Sequence, residues 1–245
     1  MLRIERKYYR SVVVATIGMY LLAIFAGQKV MKNFDAFKLR PALLVWNTFL
    51  AIVSIIGFCR TFPETLYNLK QPSGLYMTIC TYDIHNYATG FWALVFTLSK
   101  IFELGDTAFI ILRKQKLIFL HWYHHISVIM LTWLAHEYYD PGFRCFGPMN
   151  YFVHSCMYTY YALKCQKIHV PKFFAMALTS MQILQMVVGL CLNLYSLNVI
   201  YNGPTCHRPV DLVLFGIFIY STYFALFLNY FFRTYFARQN KPKVS

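Results

Sequence analysis

Charge is scarce in this chain, and negative charge scarcer still. Asp, Glu, Lys and Arg make up 13% of its 245 residues, where a soluble domain carries about 25%. Nine acidic residues stand against 23 basic ones, a formal net charge of +14. So little charge excludes a single soluble core wrapped in a solvated surface. Internal repeats, low-complexity stretches and any separate soluble segment are also missing, so one domain is expected over residues 1–245. No Asn-x-Ser/Thr sequence occurs, and N-glycosylation is not expected. The seven cysteines form no motif paired with histidine, which argues against a cysteine nucleophile. The basic residues are spread over many loops and tails rather than gathered in one stripe, so no nucleic-acid partner is expected. Basic flanks against anionic membrane lipid explain most of the excess. A basic mouth for an anionic substrate is the sharper alternative.

What is present is apolar and aromatic, at 58% and 19% of the chain. The apolar residues fall in seven runs, roughly 11–27, 41–62, 91–112, 117–136, 147–163, 173–197 and 210–232. Each is near the ~20 residues that a helix needs to cross a bilayer. The expected fold is therefore all-α, a polytopic membrane protein with seven transmembrane helices. All nine prolines are expected at or between run ends, because proline inside a helix removes a hydrogen bond and clashes with the preceding turn. The first run follows Arg3, Arg6, Lys7 and Arg10, as a signal peptide would. It lacks a cleavage site and is closed by Lys29 and Lys32, so a retained helix is expected. A cytosolic C-terminus leaves most basic residues on the cytosolic side, in keeping with the positive-inside rule, although the four N-terminal ones count against it.

Ionisable groups inside such runs are costly and mark pathways or active sites. The third run holds Lys100, Glu103 and Asp106. Positions 100, 103 and 107 share one helical face. A structural ion pair between Lys100 and Glu103 would explain two of them and leave Asp106 over. The fourth run opens His121-Trp-Tyr-His124-His125, with His121 one turn from both others. The fifth holds Asn150, His154, Met157, Tyr158 and Tyr161 on one stripe. Gln182 and Gln185 follow in the sixth, Tyr223 in the seventh. At 1.5 Å per residue, Glu103, His154, Gln182 and Tyr223 each lie ~15 Å from the basic residue ending their run, and His124 ~12 Å. They form one polar layer near mid-membrane.

Three chemistries suit that layer. A membrane di-iron desaturase or hydroxylase uses histidine boxes of this shape, but His85, His136, His169 and His207 are scattered, and the remaining four could hold one metal and hardly two. A non-enzymatic seven-helix receptor or lipid carrier could use a polar midplane layer as a ligand site. Metal-free acyl transfer could use a neutral imidazole as nucleophile toward a thioester, with other imidazoles moving protons.

The stretch K-I-F-E-L-G-D-T from Lys100 followed by H-W-Y-H-H from His121 resembles the signature of the very-long-chain fatty-acid elongases. Asn150, His154, Met157, Tyr158, Tyr160 and Tyr161 resemble that family's N-x-x-x-H-x-x-M-Y-x-Y-Y. Thr179, Gln182 and Gln185 resemble its T-x-x-Q-x-x-Q. The wording of residues 113–125 is closest to the subfamily acting on saturated and monounsaturated acyl-CoAs. The resemblance implies six helices in a ring around an acyl tunnel, with the first helix peripheral. It implies condensation of long-chain acyl-CoA with malonyl-CoA to 3-oxoacyl-CoA, CoA and carbon dioxide. Both CoA esters are substrates, and no cofactor or metal is expected.

By the same resemblance His124 is the nucleophile, assisted by His121, His125 and His154. Glu103, Asp106, Asn150, Tyr158, Tyr161 and Gln182 are candidate lining residues. Lys100, Arg113, Lys116, Lys172, Thr179 and Arg233 are candidate CoA contacts, Lys100 the deepest. The ketoreductase, dehydratase and enoyl reductase of the elongation cycle are the implied partners, and a homodimer is left open. Lys241 and Lys243 resemble a dilysine endoplasmic-reticulum retrieval signal, an address that works only in the cytosol. Cys80 and Cys206 would then both face the oxidising lumen, and the resemblance also points to a disulfide between them. Pairing with Cys145, or free lumenal thiols, stay open.

Overall fold

The structure, a computed structural model, describes residues 2–82 and 86–236, with side chains from residue 11 onward. His85 and the pair Lys241 and Lys243 lie outside the described residues. Every described element is helical: α1 (Leu2–Val30), a 3-10 turn (Met31–Asn33), α2 (Arg40–Leu69), α3 (Gly74–Cys80), α4 (Tyr87–Phe102), α5 (Gly105–Leu112), α6 (Phe119–Glu137), α7 (Phe143–Cys165), α8 (Lys172–Asn202) and α9 (Val210–Tyr235). Helices are the economical answer to such apolarity, because each backbone N–H and C=O finds its partner within the element. Four stretches are long and apolar enough to cross a membrane by length and composition: Ser11–Asn33, Arg40–Leu69, Lys172–Asn202 and Val210–Tyr235. The apolarity of α6 and α7 is diluted by the same histidines, Asn150 and tyrosines that mark the candidate site.

The helices pack in a closed circuit of neighbours. α2 lies along α7, α7 on α8, α8 on α9, α9 on α6, α6 on α4, and α4 back on α2. α1 stands outside, touching α5 and α6. Side chains are omitted where two helices approach closely. A Cβ on Gly57 would lie 2.6 Å from the Tyr151 ring, so only glycine lets α2 and α7 meet there.

Two expectations need correction. The run 91–112 is not one helix. α4 ends at Phe102 and α5 begins at Gly105. Across the junction Leu104, Asp106 and Thr107 donate to the carbonyls three residues back, Ile101, Glu103 and Leu104, so the chain tightens into a 3-10 turn. Trp46 presses on that point, where a Cβ on Gly105 would lie 2.6 Å from its ring. The tighter turn re-aims Glu103, Asp106 and Thr107 relative to a continuous helix.

The prolines also depart from expectation, since Pro63 lies inside α2 and Pro148 inside α7. A contact between the two helices accounts for the second. Pro148 has no N–H for the Arg144 carbonyl one turn back, and the Thr65 hydroxyl donates to that carbonyl instead. The same contact anchors the end of α2 beyond Pro63, with Glu64 at 4.0 Å from the Arg144 guanidinium. A tertiary hydrogen bond thus carries α7 through its proline.

Three helices end in left-handed caps without glycine. Lys114, Tyr139 and Lys167 have φ of 52°, 50° and 63°. In each the following N–H reaches back five residues: Gln115 to the Ile110 carbonyl, Asp140 to Ala135, and Ile168 to Leu163. This is the Schellman arrangement. The caps turn the chain sharply after Arg113, Tyr138 and Gln166. The second places Asp140 where its carboxylate meets Arg208.

Candidate active site

The circuit of helices encloses two cavities that meet at the histidines. The first, about 840 Å³, is lined by His121, His124, His125, His154, Glu103, Asp106, Asn150, Tyr158, Tyr161, Thr179, Gln182 and Gln185, among others. Arg40, Arg113 and Lys164 stand on its wall. The second, about 460 Å³, is walled mostly by apolar side chains such as Val128, Leu131, Phe143, Phe146 and Leu212. His124, Asn150, Gln185 and Met186 line both.

The histidines are held by hydroxyls and by one another. His121 and His125 have ring centroids 4.5 Å apart, as one helical turn dictates, and His124 and His125 5.7 Å. The His121 Nε2 lies 2.9 Å from the Thr107 hydroxyl. His124 packs against Tyr223, 4.9 Å between centroids. That phenol shares a 2.7 Å hydrogen bond with the Ser127 hydroxyl and donates to the His124 carbonyl at 3.3 Å. His154 Nδ1 is 3.6 Å from Glu103. The His125 Nδ1 and Glu103 Oε2 are buried with no hydrogen-bond partner among the described residues.

Lys100 is 2% exposed. Its ammonium donates to Glu103 at 2.8 Å and to Asn150 at 2.9 Å, and lies 4.5 Å over the Phe96 ring. A buried ammonium needs such partners, since an unpaired one is strongly disfavoured. Lys100 thus braces α4 against α7. Lys116, Lys172 and Arg233 are exposed and lie off the cavity walls. Arg113 and Thr179 are on them. The Thr179 hydroxyl is 3.2 Å from that of Tyr235.

Asp106 accepts from Trp46 Nε1 at 2.6 Å and from the Tyr158 hydroxyl at 2.9 Å. Asp106 thereby joins α2, α5 and α7 at the cavity wall. Trp46 and Tyr20 were not singled out from the sequence, where one aromatic in an apolar run is indistinguishable from packing. Asp140 and Arg208 were missed too. The Arg208 guanidinium meets both carboxylate oxygens of Asp140, at 2.8 and 3.0 Å, and donates to Ser196 at 2.9 Å. This pair lines the far end of the second cavity. Close by, Cys80 and Cys206 are joined as a disulfide, and the His207 N–H donates to the Cys80 carbonyl. Cys145 is free. Among the described residues, no group of three or more His, Cys, Asp or Glu side chains converges as a metal ion would require.

The sequence model described as "ELO: GNS1/SUR4 family" matches residues 7–243. The chain is 44% identical over 224 residues to "Very long chain fatty acid elongase 6" of Drosophila melanogaster, covering 90% of this chain and 71% of that protein. It is 40% identical over 238 residues to "Putative fatty acid elongase 3" of Caenorhabditis elegans, covering 97% and 74%. To "Very long chain fatty acid elongase 3" of Homo sapiens it is 40% identical over 226 residues, covering 92% and 83%.

Proposed function

The chain belongs to the GNS1/SUR4 (ELO) family, among multi-pass membrane enzymes of fatty-acid elongation, and from that premise we propose that it condenses a long-chain acyl-CoA with malonyl-CoA. The observation that carries this reading is the position of His124. It lines both the polar cavity and the apolar one. A thioester whose CoA portion occupies the first cavity and whose acyl chain occupies the second would present its carbonyl at that junction.

The chemistry then runs in two steps. The neutral His124 imidazole attacks the thioester carbonyl; an acyl–nitrogen bond forms, the carbon–sulfur bond breaks, and CoA leaves as the thiol after taking a proton. Malonyl-CoA next loses carbon dioxide, and the electron pair of that bond attacks the acyl-imidazole carbonyl. A carbon–carbon bond forms, the acyl–nitrogen bond breaks, 3-oxoacyl-CoA leaves, and the released imidazole takes up a proton through the neighbouring histidines to regenerate neutral His124. Arg40, Arg113 and Lys164 supply positive charge for CoA phosphates. His121, His125 and His154 hold and move protons, and Glu103 and Lys100 brace His154 and Asn150.

In this reading seven spans cross the endoplasmic-reticulum membrane, α4 and α5 together forming one, with six around the acyl tunnel and α1 outside. The C-terminus is cytosolic, and the disulfide and the Asp140–Arg208 pair close the lumenal end. The similarity to elongase 6 and 3 types supports saturated or monounsaturated acyl-CoAs as substrates. The cycle's reductases and dehydratase would take the product onward.

A covalent intermediate tests the mechanism. Purified protein given acyl-CoA without malonyl-CoA, in the presence of a chelator, should gain the mass of one acyl group, removable by hydroxylamine. Initial-rate plots that intersect, with no mass shift, would replace it with a direct ternary mechanism. Activity lost on chelation together with stoichiometric iron would support the desaturase-like alternative.

A further inference from the structure

The outer helix α1 brings one hydroxyl to the chain of contacts behind His121. Tyr20 is 7% exposed and packs with Ile24, Met31 and Ile111. Its hydroxyl lies 2.7 Å from the Thr107 hydroxyl, which in turn lies 2.9 Å from His121 Nε2. Among the described residues Tyr20 has no other hydrogen-bond partner, and Thr107 has these two.

Hydrogen counting in this three-member chain has two solutions. If His121 carried its proton on Nε2, three protons would share two contacts, and one buried hydroxyl proton, that of Tyr20 or that of Thr107, would have no acceptor in the chain. If Nε2 is bare, Tyr20 donates to Thr107 and Thr107 donates to Nε2, so both hydroxyl protons find acceptors within the chain and the ring proton lies outside it. A buried polar hydrogen without a partner is disfavoured, so the second solution prevails. It leaves the proton of the neutral ring on Nδ1. A tautomer is commonly set in this way, by the hydrogen bond made at the other ring nitrogen.

We propose that Tyr20, through Thr107, is a positioning residue that holds His121 as the Nδ1–H tautomer, so that the ring offers a hydrogen-bond donor to the histidine cluster and to charge that develops in the transition state. The proposal rests on the elongase reading for its catalytic consequence and on geometry alone for the tautomer. It gives the outer helix a chemical task. Without the Tyr20 hydroxyl, Thr107 is free to turn and accept from Nε2–H, and the donor at Nδ1 is lost.

Two readouts test it together. Nitrogen-15 spectra of histidine-labelled protein in lipid nanodiscs, assigned with a His121→Asn sample, should show a bare Nε2 and a protonated Nδ1 at His121. Tyr20→Phe keeps the ring and its packing and should move part of that signal to the other tautomer. It should lower kcat for condensation by about 10- to 100-fold, the scale on which a misdirected histidine proton acts. The KM values for acyl-CoA and malonyl-CoA should stay within about twofold, since ground-state binding is untouched. Thr107→Val should act in the same way, and the double variant should be no slower than Thr107→Val alone. A protonated Nε2 in the unaltered protein, an unchanged kcat in Tyr20→Phe, a rise in KM in place of the fall in kcat, or additive losses would each overturn the proposal. Absence of malonyl-CoA-dependent condensation in the unaltered protein would sink the elongase reading instead, and the spectrum would still decide the tautomer.

Discussion

The two cavities share His124, and a polar cluster on each is treated in the opposite way. On the first cavity's side the histidines line open space, Arg40, Arg113 and Lys164 stand on the wall, and His125 Nδ1 is buried without a partner among the described residues. At the far end of the second, charge is just as buried but fully engaged. Arg208 makes two hydrogen bonds to Asp140 and one to Ser196, and its guanidinium lies 5.2 Å over the Phe146 ring. Burial of a polar residue therefore says little about its role. What separates these two clusters is satisfaction, and the contrast holds between them and not between whole cavities: Asp106, on the first wall, has both oxygens bonded, and Asn193 Oδ1, on the second, is buried with no partner among the described residues.

Breaking the shared point should have the largest effect. His124→Ala is expected to lower condensation by at least about 1,000-fold, as loss of a nucleophile does, while the protein stays folded. Radiolabelled malonyl-CoA incorporation by the purified variant measures this, and substantial residual activity would remove His124 from the nucleophile role.

At the closed end the loss should appear in stability. Asp140→Asn leaves the Arg208 guanidinium buried with only part of its partners, and breaking such a pair costs about 3–5 kcal/mol. Replacing both residues with apolar ones should cost less than that single change. Thermal unfolding in detergent would report it, and an unfolding temperature unmoved by Asp140→Asn would show that the pair is no latch.

The finest contrast compares one substitution in each cavity. Gly90 lines the second cavity, and a Cβ there would meet nothing within 4 Å. Gly90→Leu should fill that space and shorten the longest acyl-CoA accepted by about two to four carbons, each buried methylene being worth about 0.8 kcal/mol. Arg113→Ala should instead raise the acyl-CoA KM by about tenfold at every chain length, the scale of one charge-assisted hydrogen bond. Activity across acyl-CoAs of graded length separates the two. A chain-length shift in Arg113→Ala would exchange the roles assigned to the cavities.

Much of the first cavity could be read in advance because its residues are anomalies in the sequence. Three histidines within five positions of an apolar run, and His154 one turn from Asn150, violate the cost of polar groups in lipid and so announce themselves. The second region gave no such signal. Asp140, Arg144 and Arg208 fall beside prolines and turns, where charge is ordinary, and only the folded chain buries them. Helix ends were hidden for a related reason. Lys114, Tyr139 and Lys167 take left-handed caps usually given to glycine, so nothing in their identity marks them.

The sequence by itself determined that the chain is helical and membrane-bound, that its polar residues converge on one layer, and which histidines stand in it. Periodicity, run length and the cost of burying charge suffice for that, because each acts within one helix. Tertiary structure alone decided which polar groups face the cavity and which face each other. It made Lys100 a brace between α4 and α7, broke the run 91–112 at Glu103, and gave the Arg144 carbonyl, left open by Pro148, a donor from α2. It also brought Tyr20 of the outer helix to within hydrogen-bonding reach of Thr107. Each of these depends on a partner from a different helix, and no pattern along one strand of sequence records which helix will be the neighbour.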